Sequence, residues 1–167
     1  MKAIVAVDNN WGIGKDNDLL ISLPEDMRFF REKTMDKIVI MGRKTLESFP
    51  NKKPLPKRIN IVLSREDNLQ IEGCIVCKSI LDAVNYIKEN YGEEKLVDTF
   101  FIGGESIYKQ CLEYCDILYV TKIHENYSAD RYFPNLSKFE DWEMVFSEKH
   151  ISQKDNIEFE FTTYKKK

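Results

Sequence analysis

No stretch of this chain is apolar for long enough to cross a membrane, and Met1-Lys2 runs straight into a strand pattern instead of a signal peptide. Excess positive charge is missing too. The net charge is −3 and the isoelectric point about 5.5, which argues against nucleic acid or an anionic membrane as the main partner. The basic tail Lys165-Lys166-Lys167 reads as a solvated terminus. No internal repeat, low-complexity tract or linker divides the 167 residues, so one domain over 1–167 is expected. The dinucleotide fingerprint G-x-G-x-x-G is absent. Cysteines number four, and their spacing does not suit zinc. Cys74 and Cys77 flank Ile75-Val76 in a strand-like run that points them to opposite faces, and Cys111 and Cys115 share a helix pattern with Ile107, Tyr108 and Leu112. Reduced thiols, no metal site and a cytosolic protein are the expectation.

What is present is an alternation of short β-branched runs with helical stripes. Lys2-Ala3-Ile4-Val5-Ala6-Val7 reads as a buried strand, followed by an irregular loop over 8–23 and a helix over 24–33. A strand is expected over 37–41, with Gly42-Arg43-Lys44-Thr45 turning it into a short helix that reaches Phe49. A proline-rich loop, a strand over 58–63 and a strand over 74–77 follow. Ser79 can cap a helix over 80–90, whose Ile80, Val84 and Ile87 form a stripe. A fifth strand is expected over 95–102, then a helix opening at Gly103-Gly104 and running to Tyr114, a strand over 117–123, and two alternating segments over 143–149 and 158–164. This order predicts an α/β fold: a mostly parallel central β-sheet, helices on both faces and an antiparallel C-terminal edge hairpin.

One helix start stands out. Pro24 fits the first helical position, and Glu25 and Asp26 occupy the first turn, where the dipole favours carboxylates. At about 100° per residue Phe30 lies only about 40° round from Asp26, so this acid shares the apolar side. Two readings stay open: Asp26 complements the dipole, or it is the one acid of a ligand pocket, its pKa raised by burial.

Polar groups suited to an anion gather at strand ends. Gly103-Gly104 exposes bare backbone before a helix, Gly42-Arg43-Lys44-Thr45 repeats the arrangement with two cations, and Ser64-Arg65 closes another strand. Ligands of open α/β sheets collect at these carboxyl ends, and Arg beside Ser suits a phosphate monoester, which tilts a dinucleotide towards NADP.

The ordered set is carried by Ala6 with Ile13-Gly14 and Asn17; Leu23-Pro24-x-Asp26 with Phe30; Val39-Ile40-Met41-Gly42-Arg43-x-Thr45 with Glu47-Ser48; Pro54-Leu55-Pro56-x-Arg58-x-Asn60; Ile102-Gly103-Gly104-x-x-x-Tyr108; Tyr119-x-Thr121; and Phe133-Pro134. Over nearly its whole length the chain resembles the dihydrofolate reductases of the bacterial single-domain type. The resemblance implies NADPH-dependent reduction of 7,8-dihydrofolate to 5,6,7,8-tetrahydrofolate, which feeds one-carbon metabolism and thymidylate synthesis. It also implies binding of antifolate inhibitors and a monomer.

By the same resemblance Asp26 binds the amidine-like edge of the pterin and Thr121 hydrogen-bonds this acid. Ile4, Val5, Met27, Phe30, Phe49, Leu55 and Ile102 would wall the substrate, with Ala6, Ser48, Lys53 and Tyr108 beside it, and Arg58 would clamp the glutamate-tail carboxylate. Ala6, Ile13 and Gly14 would contact the nicotinamide side of NADPH, with Tyr108 nearby, and Asn17, Asp18, Leu19 and Ile102 would also belong to the cofactor site. Gly103, Gly104, Glu105, Ser106 and Ile107 would take the pyrophosphate across a cis Gly-Gly peptide. Arg43, Lys44, Thr45, Ser64, Arg65 and Lys78 would hold the adenosine and its 2′-phosphate, with Gly42 and Leu63 also in the cofactor site.

The chain departs from the family pattern at two places. Leu20-Ile21 stand where the family usually has Pro-Trp, which removes an indole N–H donor near the pterin. Ala129 stands where a glycine often sits, a change that matters if φ there is positive. Two alternatives compete with this reading. One is a relative reducing a ribosylamino-pyrimidine, disfavoured by Asp26, Phe30 and Arg58 together; the other is a non-catalytic binder of the same ligands.

Overall fold

A computed structural model describes residues 1–167. Strands β1 (Lys2–Val7), β4 (Ile38–Gly42), β5 (Ile59–Leu63), β6 (Cys74–Cys77), β7 (Phe100–Phe101), β8 (Ile117–Ile123), β10 (Trp142–Ile151) and β11 (Glu158–Lys166) form one sheet. Its order is β10-β11-β8-β1-β7-β4-β5-β6, parallel from β8 to β6 and antiparallel where β11 joins β8 and β10.

The parallel strands are apolar on both faces, and their alternation separates two cores. Ala3, Val5, Val7, Ile38, Ile40, Ile61 and Phe101 point to one side, under α3 (Ile80–Asn90) and α4 (Glu105–Cys111). Ile4, Val39, Met41, Val62, Phe100 and Ile102 point to the other. There they meet Leu46 of α2 (Arg43–Glu47) and the half-buried Phe29 and Phe30 of α1 (Pro24–Thr34). Ser79 caps α3 as expected, accepting from the Asp82 N–H at 3.1 Å.

Three expectations need correction. The loop over 8–23 is not wholly irregular: β2 (Gly12–Lys15) and β3 (Asp18–Leu19) pair with β9 (Arg131–Tyr132) in a small second sheet. These partners lie far apart in sequence, so no local periodicity announces them. The strand expected over 95–102 shrinks to Phe100–Phe101, because Glu93–Asp98 close as a 3₁₀ turn. Thr99 seals that turn, its hydroxyl donating to the Lys95 carbonyl at 2.8 Å and its N–H to that of Leu96 at 3.2 Å. The helix expected to reach Tyr114 ends at Cys111, with the Tyr114 N–H closing a turn on the Cys111 carbonyl. All four cysteines are unpaired, no helix is long and apolar enough to cross a membrane, and no group of three or more His, Cys, Asp or Glu side chains converges as for a metal ion.

Candidate active site

From β1 the chain adds β4, β5 and β6 to one side, then inserts β7 and adds β8 to the other, and this reversal opens a crevice at the carboxyl ends of the strands. The crevice is a cleft of about 910 Å³. Every residue expected at the cofactor lines it, from Ala6, Ile13 and Gly14 through Gly42–Thr45 and Leu63–Arg65 to Lys78 and 102–108. Val5 and Ser48, expected at the substrate, line it too.

Its floor is a close backbone approach, tightest at Gly103. The Gly103-Gly104 peptide is cis, and the Gly42 N–H donates to the Gly103 carbonyl at 2.8 Å. Gly103 has φ +129°, and a Cβ there would stand 3.3 Å from Thr45 Oγ1 and 3.6 Å from the Tyr108 ring. Tyr108 is buried and donates its hydroxyl to the Ile4 carbonyl at 2.7 Å; burial pushes its phenol up, so the proton stays on. Gly104 caps α4 without a side-chain acceptor, leaving the first N–H groups of the helix unbonded by a cap. Arg43, Lys44, Arg65 and Lys78 stand exposed at the outer end.

At the inner end, Thr121 lies beside Ala6 across the β1–β8 ladder and donates its hydroxyl to Asp26 Oδ1 at 2.6 Å. Helix α1 delivers the acid, with Pro24 at its start as expected. Asp26 is half-buried; loss of water pushes its pKa up, against a smaller downward pull from Thr121. Ile4, Phe30, Phe49, Leu55 and Ile102 pack into one apolar cluster on this side of the sheet. Met27, expected as part of that wall, lies about 100° round the helix from Asp26 and is 59% exposed. Lys53 and Ser48 are also exposed. Arg58 donates through Nε to Thr34 Oγ1 at 3.2 Å and through one terminal nitrogen to the Pro56 carbonyl at 2.8 Å, which fixes the guanidinium while other N–H groups stay available. Burial, with Arg31 nearby, holds that guanidinium below its ordinary value.

The flap over the cleft is tied at several points. Asp8, 4% exposed, accepts from the N–H groups of Asn10, Gly12 and Tyr127. Asp130 accepts from the Asp16 N–H at 3.1 Å, and its own N–H donates to the Gly14 carbonyl. Ala129 is not at positive φ. Its methyl instead fills the space beside Gly12, where an added Cβ would come within 2.5 Å of it. Ile21 packs against Leu23, Ile123, Ile157 and Phe159, so the position that lacks an indole is an apolar seam.

Lys15, Ser79, Ile80, Gln110 and Arg131 also line the cleft and escaped the sequence reading. Ser79 and Ile80 follow a parallel strand just as Ser64 does, so the strand-end rule could have found them. Arg131 arrives through β2–β9 pairing, which leaves no local signal.

Fold and cleft together define an α/β protein of the nucleotide-binding class, with its ligand crevice at the carboxyl ends of parallel strands. A family model described as dihydrofolate reductase matches residues 1–166. The dihydrofolate reductase of Bacillus subtilis is 39% identical over 165 residues, covering 98% of this chain and 93% of that protein. That of Haemophilus influenzae is 42% identical over 153 residues, covering 92% and 89%. Among solved structures, dihydrofolate reductase from Enterococcus faecalis complexed with NADP(H) and RAB-propyl superposes with a TM-score of 0.84 at 33% identity, over 99% of this chain and 95% of that one. The chain belongs to the dihydrofolate reductase family.

Proposed function

We propose that this chain reduces 7,8-dihydrofolate to 5,6,7,8-tetrahydrofolate with NADPH. The observation that carries the reading is the continuity of the site: a half-buried Asp26 held by Thr121, beside an apolar wall, opens at Ala6 into a cleft built for an anionic dinucleotide. The residues fit NADPH, because Gly103 leaves a cradle that a Cβ would fill and four cations stand at the far end. NADPH, when bound, supplies the hydride that pterin C6 receives.

The chain's own residues bind, orient and exclude water. Asp26 accepts paired hydrogen bonds from the amidine-like edge of the pterin and polarises the ring, while solvent delivers the proton to N5. Thr121 fixes the carboxylate's rotamer. Ile4, Phe30, Phe49, Leu55 and Ile102 flank the ring system, and Arg58 takes the tail carboxylate. The flap over Gly12–Leu19 covers the reacting centre and keeps bulk water out. Residues 1–167 act as one domain, as a monomer in the cytosol, without nucleic acid as a partner; the net charge of −3 and the four unpaired thiols support the last two points.

The test is loss of NADPH absorbance on adding dihydrofolate, beside Asp26→Asn. Turnover that collapses in the variant at neutral pH supports the reading. Tight binding of NADPH and an antifolate without turnover in the wild type sinks it and leaves a binding protein.

A further inference from the structure

Two of the four cations at the outer end of the cleft, Arg43 and Lys78, are already paired, while Lys44 and Arg65 carry no acidic partner. Arg43 Nε lies 3.1 Å from Glu47 Oε1 as an ion pair, and one of its terminal nitrogens donates to Glu66. Lys78 pairs with Asp67. Glu66 follows Ser64-Arg65 at the end of β5, and its N–H donates to Ser64 Oγ at 3.3 Å, which ties its backbone to a residue of the cleft lining. Four cations against three carboxylates leave one net positive charge at this end. A phosphate monoester carries about −1.5 to −2 at neutral pH, so at Arg43 it must displace Glu66 or lie against it. A free ribose 2′-hydroxyl has the opposite requirement: it is a donor in need of an acceptor. In nucleotide folds a carboxylate reads the 2′-hydroxyl and an arginine accommodates the 2′-phosphate. Here the two groups stand at one place and hold each other.

Resting on the cofactor reading above, we infer that Glu66 sets the choice between nicotinamide dinucleotides: it opposes the 2′-phosphate, accepts from a free 2′-hydroxyl, and so lets the chain use NADH as well as NADPH. The reaction balances as before. Hydride passes from nicotinamide C4 to pterin C6, breaking one C–H bond and forming another, N5 takes a proton from solvent, and the cofactor leaves oxidised as NAD⁺.

The experiment compares kcat/KM for NADPH and for NADH at saturating dihydrofolate in the wild type and in Glu66→Gln. Calorimetric binding of adenosine 2′,5′-bisphosphate and of 5′-AMP is measured on the same proteins. The wild type should oxidise NADH measurably, and the NADPH-to-NADH ratio should rise about fivefold in the variant, the size expected of one exposed charge pair, with a similar gain for the bisphosphate alone. A ratio within about 1.5-fold of the wild type, or no NADH turnover in the wild type beside robust NADPH turnover, overturns the inference. If neither dinucleotide is oxidised, the reductase reading falls separately. The nucleotide pair then still decides on Glu66: a gain for the bisphosphate alone supports its role, and equal changes for both overturn it.

Discussion

At the inner end of the cleft a single carboxylate, Asp26, stands half-buried with one hydroxyl partner; at the outer end Arg43 and Lys78 face water, already paired with acids of their own. The contrast is one of dielectric. An exposed ion pair contributes about 0–1 kcal/mol because water and salt screen it, whereas a charge that has lost water is held by whatever polar group remains. One residue should therefore dominate the inner end, and the outer end should respond in small, divisible steps.

The largest effect should come from Asp26→Asn, which keeps an acceptor for Thr121 but removes the charge. We expect kcat/KM at neutral pH to fall by about 10² to 10³. Burial raises the folded-state pKa of Asp26, so its ionisation costs stability as pH climbs through that raised value. The Asn variant should thus melt higher than the wild type at neutral pH, and the gain should vanish as pH drops below the ordinary carboxylate range. Melting curves across that range check the sign.

Arg58→Ala should rank next. Removing a fixed guanidinium from the tail carboxylate should raise KM for dihydrofolate about 10- to 100-fold, with kcat moved far less. Gly103→Ala tests the cradle: φ +129° and the contact with Thr45 should raise KM for NADPH about tenfold or more and lower the melting temperature. Smallest should be Lys78→Ala, a two- to fivefold rise in KM for NADPH by about the worth of one exposed pair, shrinking further in high salt. An equal collapse in Lys78→Ala and Asp26→Asn would break the comparison between the two ends.

Much of this was legible where the signal is local. The helix Ile80–Asn90 and the strand Ile117–Ile123 sit where their stripes and β-branched runs put them, since each periodicity lies within one element. Pro24 opens α1, and the strand-end residues converge on one cleft because parallel strands must all end on the same side. What was misread has two causes. Lys95–Leu96–Val97 have strand-like composition, yet a local 3₁₀ turn closed by Thr99 outcompetes the strand, whereas β2, β3 and β9 exist only as one another's partners, far apart in sequence.

By itself the sequence determined the α/β alternation, the two-faced apolar strands and the glycines and cations at their ends, because each follows from side-chain period or backbone freedom over a few residues. Tertiary structure alone decided the rest. It brought Thr121 to Asp26 across 95 positions, inserted β7 between β1 and β4, seated the Ala129 methyl against Gly12, and paired Glu66 with Arg43. Such contacts depend on strand order and on which buried or charged groups the closed fold leaves facing one another.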